Sequence, residues 1–183
     1  MNQSDFITTL QRAIQALQQV GIPYHLTGGL VSSYYGEPRL TQDIDFVVAM
    51  KQEDVAALIQ ILVPHFLVDL EAMEDAVSNE RLFQGLDQET FLKVDFHVGG
   101  SVRGEFQRSV TIELFPSVSV PIASKYDAIV SKLLWIKAGS GKSRQDVMGM
   151  LLDPEPIEEA LLLDLAEEHG VADILAEIRN ELR

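Results

Sequence analysis

The sequence contains no cysteine, which excludes disulfides, zinc–thiolate sites, iron–sulfur clusters and thiol nucleophiles. Basic residues are scarce. Fourteen Lys and Arg face 28 Asp and Glu, for a formal charge of −14, so no general positive field is available to hold a nucleic-acid backbone. Any polyanionic partner must meet a local basic patch or a bound metal. Long apolar runs are missing as well: no stretch approaches the roughly 20 apolar residues of a spanning helix. The opening MNQSDFITTL has neither the basic nor the apolar region of a secretory signal. The expectation is a cytoplasmic protein with no membrane partner. What is present is ordinary globular material, 46% apolar and 23% charged over 183 residues, enough for one packed domain or one domain with a small helical appendage.

Apolar residues Phe6, Leu10, Ala13, Leu17 and Val20 recur at helical spacing after Ser4, a candidate cap, and Gly21 and Pro23 mark the stop. Tyr24 to Leu26 reads as a short strand ending at Gly28-Gly29, after which Leu30 to Tyr35 forms a short helix closed by Gly36 and Pro38. Asp43 to Met50 is rich in β-branched and aromatic residues and is followed by a helical segment from Gln52 to Leu62, ended by Pro64. Further strands are expected at Phe66–Leu70, Phe91–Val98, Val110–Leu114 and Val118–Ile122. From Ser124 the pattern turns helical: Ser124–Lys137, Arg144–Leu152, Pro156–His169 and Val171–Leu182. The fold class is therefore α/β (α+β), a small mixed sheet flanked by helices, with a core over residues 1–122 and a C-terminal helical region over 123–183 packed on it. No internal repeat or low-complexity segment interrupts it.

The chemistry concentrates in two strands. In Asp43-Ile44-Asp45-Phe46 alternate side chains share a face, so Asp43 and Asp45 point one way while Ile44 and Phe46 point to the core. Two adjacent carboxylates repel each other unless a proton or cation sits between them, and hard oxygen donors suit Mg²⁺ or Mn²⁺. Lys93-Val94-Asp95-Phe96-His97 offers a third acid, with Val94 and Phe96 on the buried face and Asp95 opposite. Asp43, Asp45 and Asp95 are the candidate metal ligands of a two-metal site. Upstream, Gly28-Gly29 lies between a strand and a helix, where missing Cβ atoms let a phosphate approach free backbone N–H groups.

A paired glycine turn, a short helix, an Asp-x-Asp strand fourteen residues after Gly29 and a later strand Asp resemble the nucleotidyltransferase superfamily typified by DNA polymerase beta. The segments Thr27-Gly28-Gly29-Leu30-Val31-Ser32-Ser33 and Arg39-Leu40-Thr41-Gln42-Asp43-Ile44-Asp45 look like the signature of its minimal bacterial branch, which includes AbiEii-type toxins. Lys132-Leu133-Leu134-Trp135 and Arg144-Gln145-Asp146 look like that branch's helical motifs. The likeness spans roughly residues 5 to 152. Gln145 departs from it, because the branch commonly places Arg directly before its Asp, and Arg144 is not carried over. The resemblance implies a nucleotidyltransferase fold in which Asp43 and Asp45 hold metal against a nucleoside triphosphate such as ATP, with Asp95 as third ligand or general base. Gly28, Gly29, Ser32, Arg39 and Lys132 are the implied nucleotide contacts, Lys132 meeting the triphosphate. The activity it implies is Mg-dependent transfer of a nucleoside monophosphate to a hydroxyl of an RNA such as tRNA, a protein or a small molecule, toxin-like and with an antitoxin partner. The competing reading is a non-catalytic nucleotide-binding or regulatory module, against which the presence of all three acids argues.

Other motifs carry less. Gly139-Ser140-Gly141-Lys142-Ser143 is not a P-loop, because Ile136 stands where the first glycine belongs and the preceding segment is helical. It reads as an interhelical loop. His25, His65, His97 and His169 show no metal-ligand spacing, and only His97 shares a strand face with Asp95. The one locally basic stretch, Lys125, Lys132, Lys137, Lys142 and Arg144, is the sole candidate patch for an RNA. Acidic runs at Asp153–Glu159 and Glu167-Glu168 are solvated helix starts and faces.

Overall fold

The computed structural model describes residues 2–38, 41 and 43–183. Its first helix, α1 (Gln3–Val20), runs as the apolar spacing predicts and ends at Gly21 in the left-handed region. The cap is Asn2 rather than Ser4: its side chain accepts from the Ser4 N–H, two residues earlier than expected. Strand β1 (Tyr24–Leu26) leads into α2 (Gly28–Tyr35), whose first turn is the glycine pair itself. Strand β2 (Ile44–Val48) and, after a short 3-10 turn, α3 (Val55–Leu62) follow as expected.

The middle of the chain differs from expectation. Strand β3 stops at Val68, and Asp69 caps a helix, α4 (Leu70–Asn79), by accepting from Ala72 N–H. Strand β4 (Leu82–Asp87) then returns beside β5 (Lys93–Val98). Its period-2 pattern is inverted: Phe83, Gly85 and Asp87 point inward while Leu82, Gln84 and Leu86 are exposed. A buried glycine and aspartate with outward leucines erase the usual strand signal. Phe91 lies outside β5, in a turn with φ of +58° and 75% exposed. A single-turn helix α5 (Glu105–Arg108) precedes β6 (Val110–Phe115) and β7 (Val118–Ile122). Helices α6 (Lys125–Lys137), α7 (Lys142–Leu152), α8 (Glu159–Glu168) and α9 (Ala172–Glu181) complete the chain. Among the described residues no helix is long and apolar enough to cross a membrane.

The seven strands form one mixed sheet in the order β3-β4-β5-β2-β1-β7-β6. Strands β2 and β5 run parallel at its centre, as do β1 and β7, and the remaining neighbours are antiparallel. One face is apolar. Phe46, Phe96 and Phe83 stack across β2, β5 and β4 with ring centroids 5.9 and 4.8 Å apart, a ladder that fixes register as well as burying area. Helix α1 closes this face through Arg12 and Thr9, which hold Asp87 from beneath. A single set of buried side chains runs from Phe6 through Ile129 and Val147 to Ile178, so the C-terminal helices and the sheet share one core. The opposite face of β2 and β5 carries the acids, with α2, α6 and α7 standing beside it.

Candidate active site

Parallel pairing sets Asp45 directly beside Asp95, and Val47 beside His97. Because opposed residues of paired strands share a face, the acids at 45 and 95 lie on the same side of the sheet, with Ile44, Phe46, Val94 and Phe96 fully buried on the other. Asp43 sits just before β2 and is the most open of the three: its side chain is 55% exposed, against 19% for Asp45 and 10% for Asp95. All three line a cleft of about 290 Å³ whose floor is the strand face and whose far wall is α6 and α7.

Gly28 explains the glycine turn. Its φ of +67° falls where side chains are disfavoured, and a Cβ there would come within 2.0 Å of Asp45 Oδ2. The Thr27 N–H donates to the Asp45 carbonyl at 2.9 Å, so this turn and the carboxylate are fixed against each other. Thr27, Gly28 and Gly29 line the cleft, with the N-terminus of α2 among them. Ser32 does not line that cleft: it is buried, and its hydroxyl donates to the Gly28 carbonyl at 2.9 Å. Arg39 lies outside the described residues.

The carboxylates meet positive charge from β5. Lys93 Nζ stands 3.0 Å from Asp95 Oδ2 and 3.7 Å from Asp43 Oδ1. Its hydrogen bond to Asp95, reinforced by the charges of Asp95, Asp43 and Asp45 against the opposing effect of burial, holds the ammonium above the usual lysine range. Gln84 Nε2 donates to the other Asp95 oxygen at 3.0 Å, and His97 Nε2 lies 3.6 Å from Asp45 Oδ1. Neither Lys93 nor Gln84 was expected at the site. Lys93 was legible as the residue two before Asp95 on one strand face; Gln84 was hidden with β4.

On the far wall Lys132 pairs with Asp146 at 2.8 Å, both side chains mostly buried, and both line the cleft with Lys142 and the half-exposed Trp135. Sequence spacing alone would not place Lys132 and Asp146 together; the packing of α6 along α7 does. The basic stretch does not form a patch. Lys125 is buried and donates to Asp153 and the Glu155 carbonyl, Arg144 turns away to Glu177 and Glu181 on α9, and Lys137 donates to the Gly170 carbonyl.

The donor set suits a hard divalent cation, and the Lys93 ammonium already places a positive charge between Asp43 and Asp95. Among the described residues no three acidic or histidine side chains stand in ready-made metal-binding geometry.

Several solved structures share this fold. The solution structure of the antibiotic-resistance factor ANT(2'')-Ia superposes with a TM-score of 0.64 at 11% identity, covering all of both chains. Lincomycin-bound LnuA, a lincosamide antibiotic adenylyltransferase, gives 0.53 at 14% over 83% of this chain and 98% of that one. An antigenic nucleotidyltransferase-like protein from Paracoccidioides brasiliensis gives 0.55 at 16% over 96% and 91%. No curated protein sequence matches the chain. Residues 12–169 match the family described as nucleotidyl transferase AbiEii toxin, type IV TA system. The chain belongs to this AbiEii family and is a nucleotidyltransferase.

Proposed function

We propose that the protein transfers a nucleoside monophosphate from an NTP to a hydroxyl acceptor, with Asp43, Asp45 and Asp95 as its acidic centre and Mg²⁺ or Mn²⁺ as cofactor. The observation that carries this reading is the side-by-side pairing of Asp45 and Asp95 on the cleft face, with the backbone of Gly28 pressed against Asp45. Divalent cations at these carboxylates would neutralise charge on the attacking and departing oxygens of an in-line displacement. The protein's own groups do the rest. Gly28, Gly29 and the start of α2 present N–H groups to phosphate, and Lys132 offers an ammonium from the opposite wall. Asp95, more buried than Asp43 and tied to strand β5, holds the acceptor hydroxyl and takes its proton.

The acceptor is the 3′ end of an RNA, a protein side chain or a small molecule. A long polyanion laid across the helices is disfavoured, because Lys125 and Arg144 are bound to carboxylates instead of facing outward. Family membership supports a toxin role with an antitoxin partner. The test is incubation with Mg²⁺ and each labelled NTP, following pyrophosphate release and label in RNA, protein and small-molecule fractions. Label transfer that disappears in Asp45→Asn supports the proposal; nucleotide binding without transfer, unchanged in Asp43→Ala, refutes it in favour of a binding module.

A further inference from the structure

The Asp95 carboxylate has both oxygens engaged before any metal arrives. Oδ1 accepts from the Gln84 amide and Oδ2 from the Lys93 ammonium, each at 3.0 Å. Asp43 leans on the same ammonium at 3.7 Å. A metal–oxygen contact of about 2.0–2.6 Å at either acid would bring a double positive charge close to the one already there. At such separations like charges repel by kilocalories even at an effective dielectric typical of protein surfaces. The neutral Gln84 amide can stay where it is. Lys93 cannot, and its partly exposed, four-carbon stem leaves it room to swing out.

Building on the reading of Asp43, Asp45 and Asp95 as the metal-holding acids, we propose that Lys93 is a tethered counter-ion that holds the Asp43–Asp95 position in the free protein and competes with the divalent cation for it. Lys93 acts as a positioning residue: it keeps the acids near one another without metal and weakens metal binding until it is displaced. The free protein is therefore a poor metal binder by construction. The triphosphate brings negative charge of its own, so metal and nucleotide load together.

The test is Mn²⁺ binding to the intact protein without nucleotide, read as free Mn²⁺ by electron paramagnetic resonance at fixed pH and ionic strength. Lys93→Met is expected to tighten Mn²⁺ binding by roughly tenfold. Lys93→Arg, which keeps the charge, should bind as the parent does, and Gln84→Ala should give no tightening. Unchanged or weaker binding in Lys93→Met overturns the proposal, as does equal tightening in Gln84→Ala. If Lys93→Met does not fold, the parent protein serves: acetic anhydride labelling read by mass spectrometry should rise at Lys93 when Mn²⁺ is added, relative to the exposed Lys51. No rise overturns it equally. Nucleotidyl transfer measured in parallel separates the two ideas. Transfer by the parent protein with unaltered Mn²⁺ affinity in Lys93→Met removes the counter-ion role alone; tightening in Lys93→Met with no transfer by the parent from any NTP leaves that role standing and removes the catalytic one.

Discussion

Gly28 and Asp45 are so closely apposed that only a hydrogen atom can face the carboxylate: a Cβ at position 28 would lie 2.0 Å from Oδ2 and 2.8 Å from the Asp45 Cβ. Gly28→Ala therefore cannot be absorbed locally. It must move either the turn or the acid, and the positive φ adds on the order of 1–2 kcal/mol of strain. Transfer should fall by roughly a hundredfold, the scale expected of an ångström-sized displacement at a reacting centre. The measurement is the initial rate with saturating NTP, alongside circular dichroism. A fully active Gly28→Ala would show that the close contact has no bearing on the chemistry.

Asp45→Asn keeps the shape of the side chain and removes one of three negative charges that share the strand face. Thermal stability should hold or rise slightly, since like-charge repulsion is relieved. Transfer should drop by roughly a thousandfold or more. A large fall in Tm would assign Asp45 a structural task instead.

Lys132→Met retains the aliphatic stem and deletes the ammonium that pairs with Asp146 at 2.8 Å. Both side chains are mostly buried, so leaving the Asp146 carboxylate without this partner should lower Tm, and loss of the ammonium from the cleft wall should raise KM for the NTP by roughly tenfold or more. An unaltered KM would place the triphosphate elsewhere in the cleft.

Stability in acid should depend on Asp87. Burial alone would raise its pKa, but the Glu89 and Thr90 N–H groups, with Arg12 and Thr9, outweigh that and hold it below the usual carboxylate range. The folded protein thus gives up its hold on this proton relative to the unfolded chain, so the stabilisation is complete above the unfolded carboxylate pKa of about 4 and is lost as pH falls through the lower native value. Arg12→Ala should cost about 2–3 kcal/mol at neutral pH, discounted for the partial exposure of the guanidinium. Part of the acid dependence should vanish with it. Urea titrations of both proteins between neutral pH and pH 3 would show whether the difference narrows.

Strands with inward apolar residues announced themselves. In β2 and β5 Ile44, Phe46, Val94 and Phe96 alternate with the acids, so both the strands and the shared face of Asp43, Asp45 and Asp95 followed from period 2. Strand β4 was invisible for the opposite reason: Gly85 admits the Phe66 ring within 3.3 Å of where a Cβ would stand, and Asp87 is buried only because a helix 75 residues away supplies Arg12. Such compensation is tertiary and leaves no local trace. The same holds for Lys132 and Asp146, whose meeting depends on how α6 and α7 cross, and for the helical stretch, where buried Lys125 looked like surface charge until its partner Asp153 was in view.

The two walls of the cleft come from distant parts of the chain, the acids from residues 43–95 and the facing lysines from 132–142. A nascent polypeptide released or stalled after α5 would carry all three aspartates with nothing opposite them. Helix α7 is braced in turn by α9 through Arg144, Glu177 and Glu181. The cleft is thus assembled only when α6 and α7, packed along each other, stand opposite the strand face, so its shape depends on helix packing far along the chain from the acids themselves.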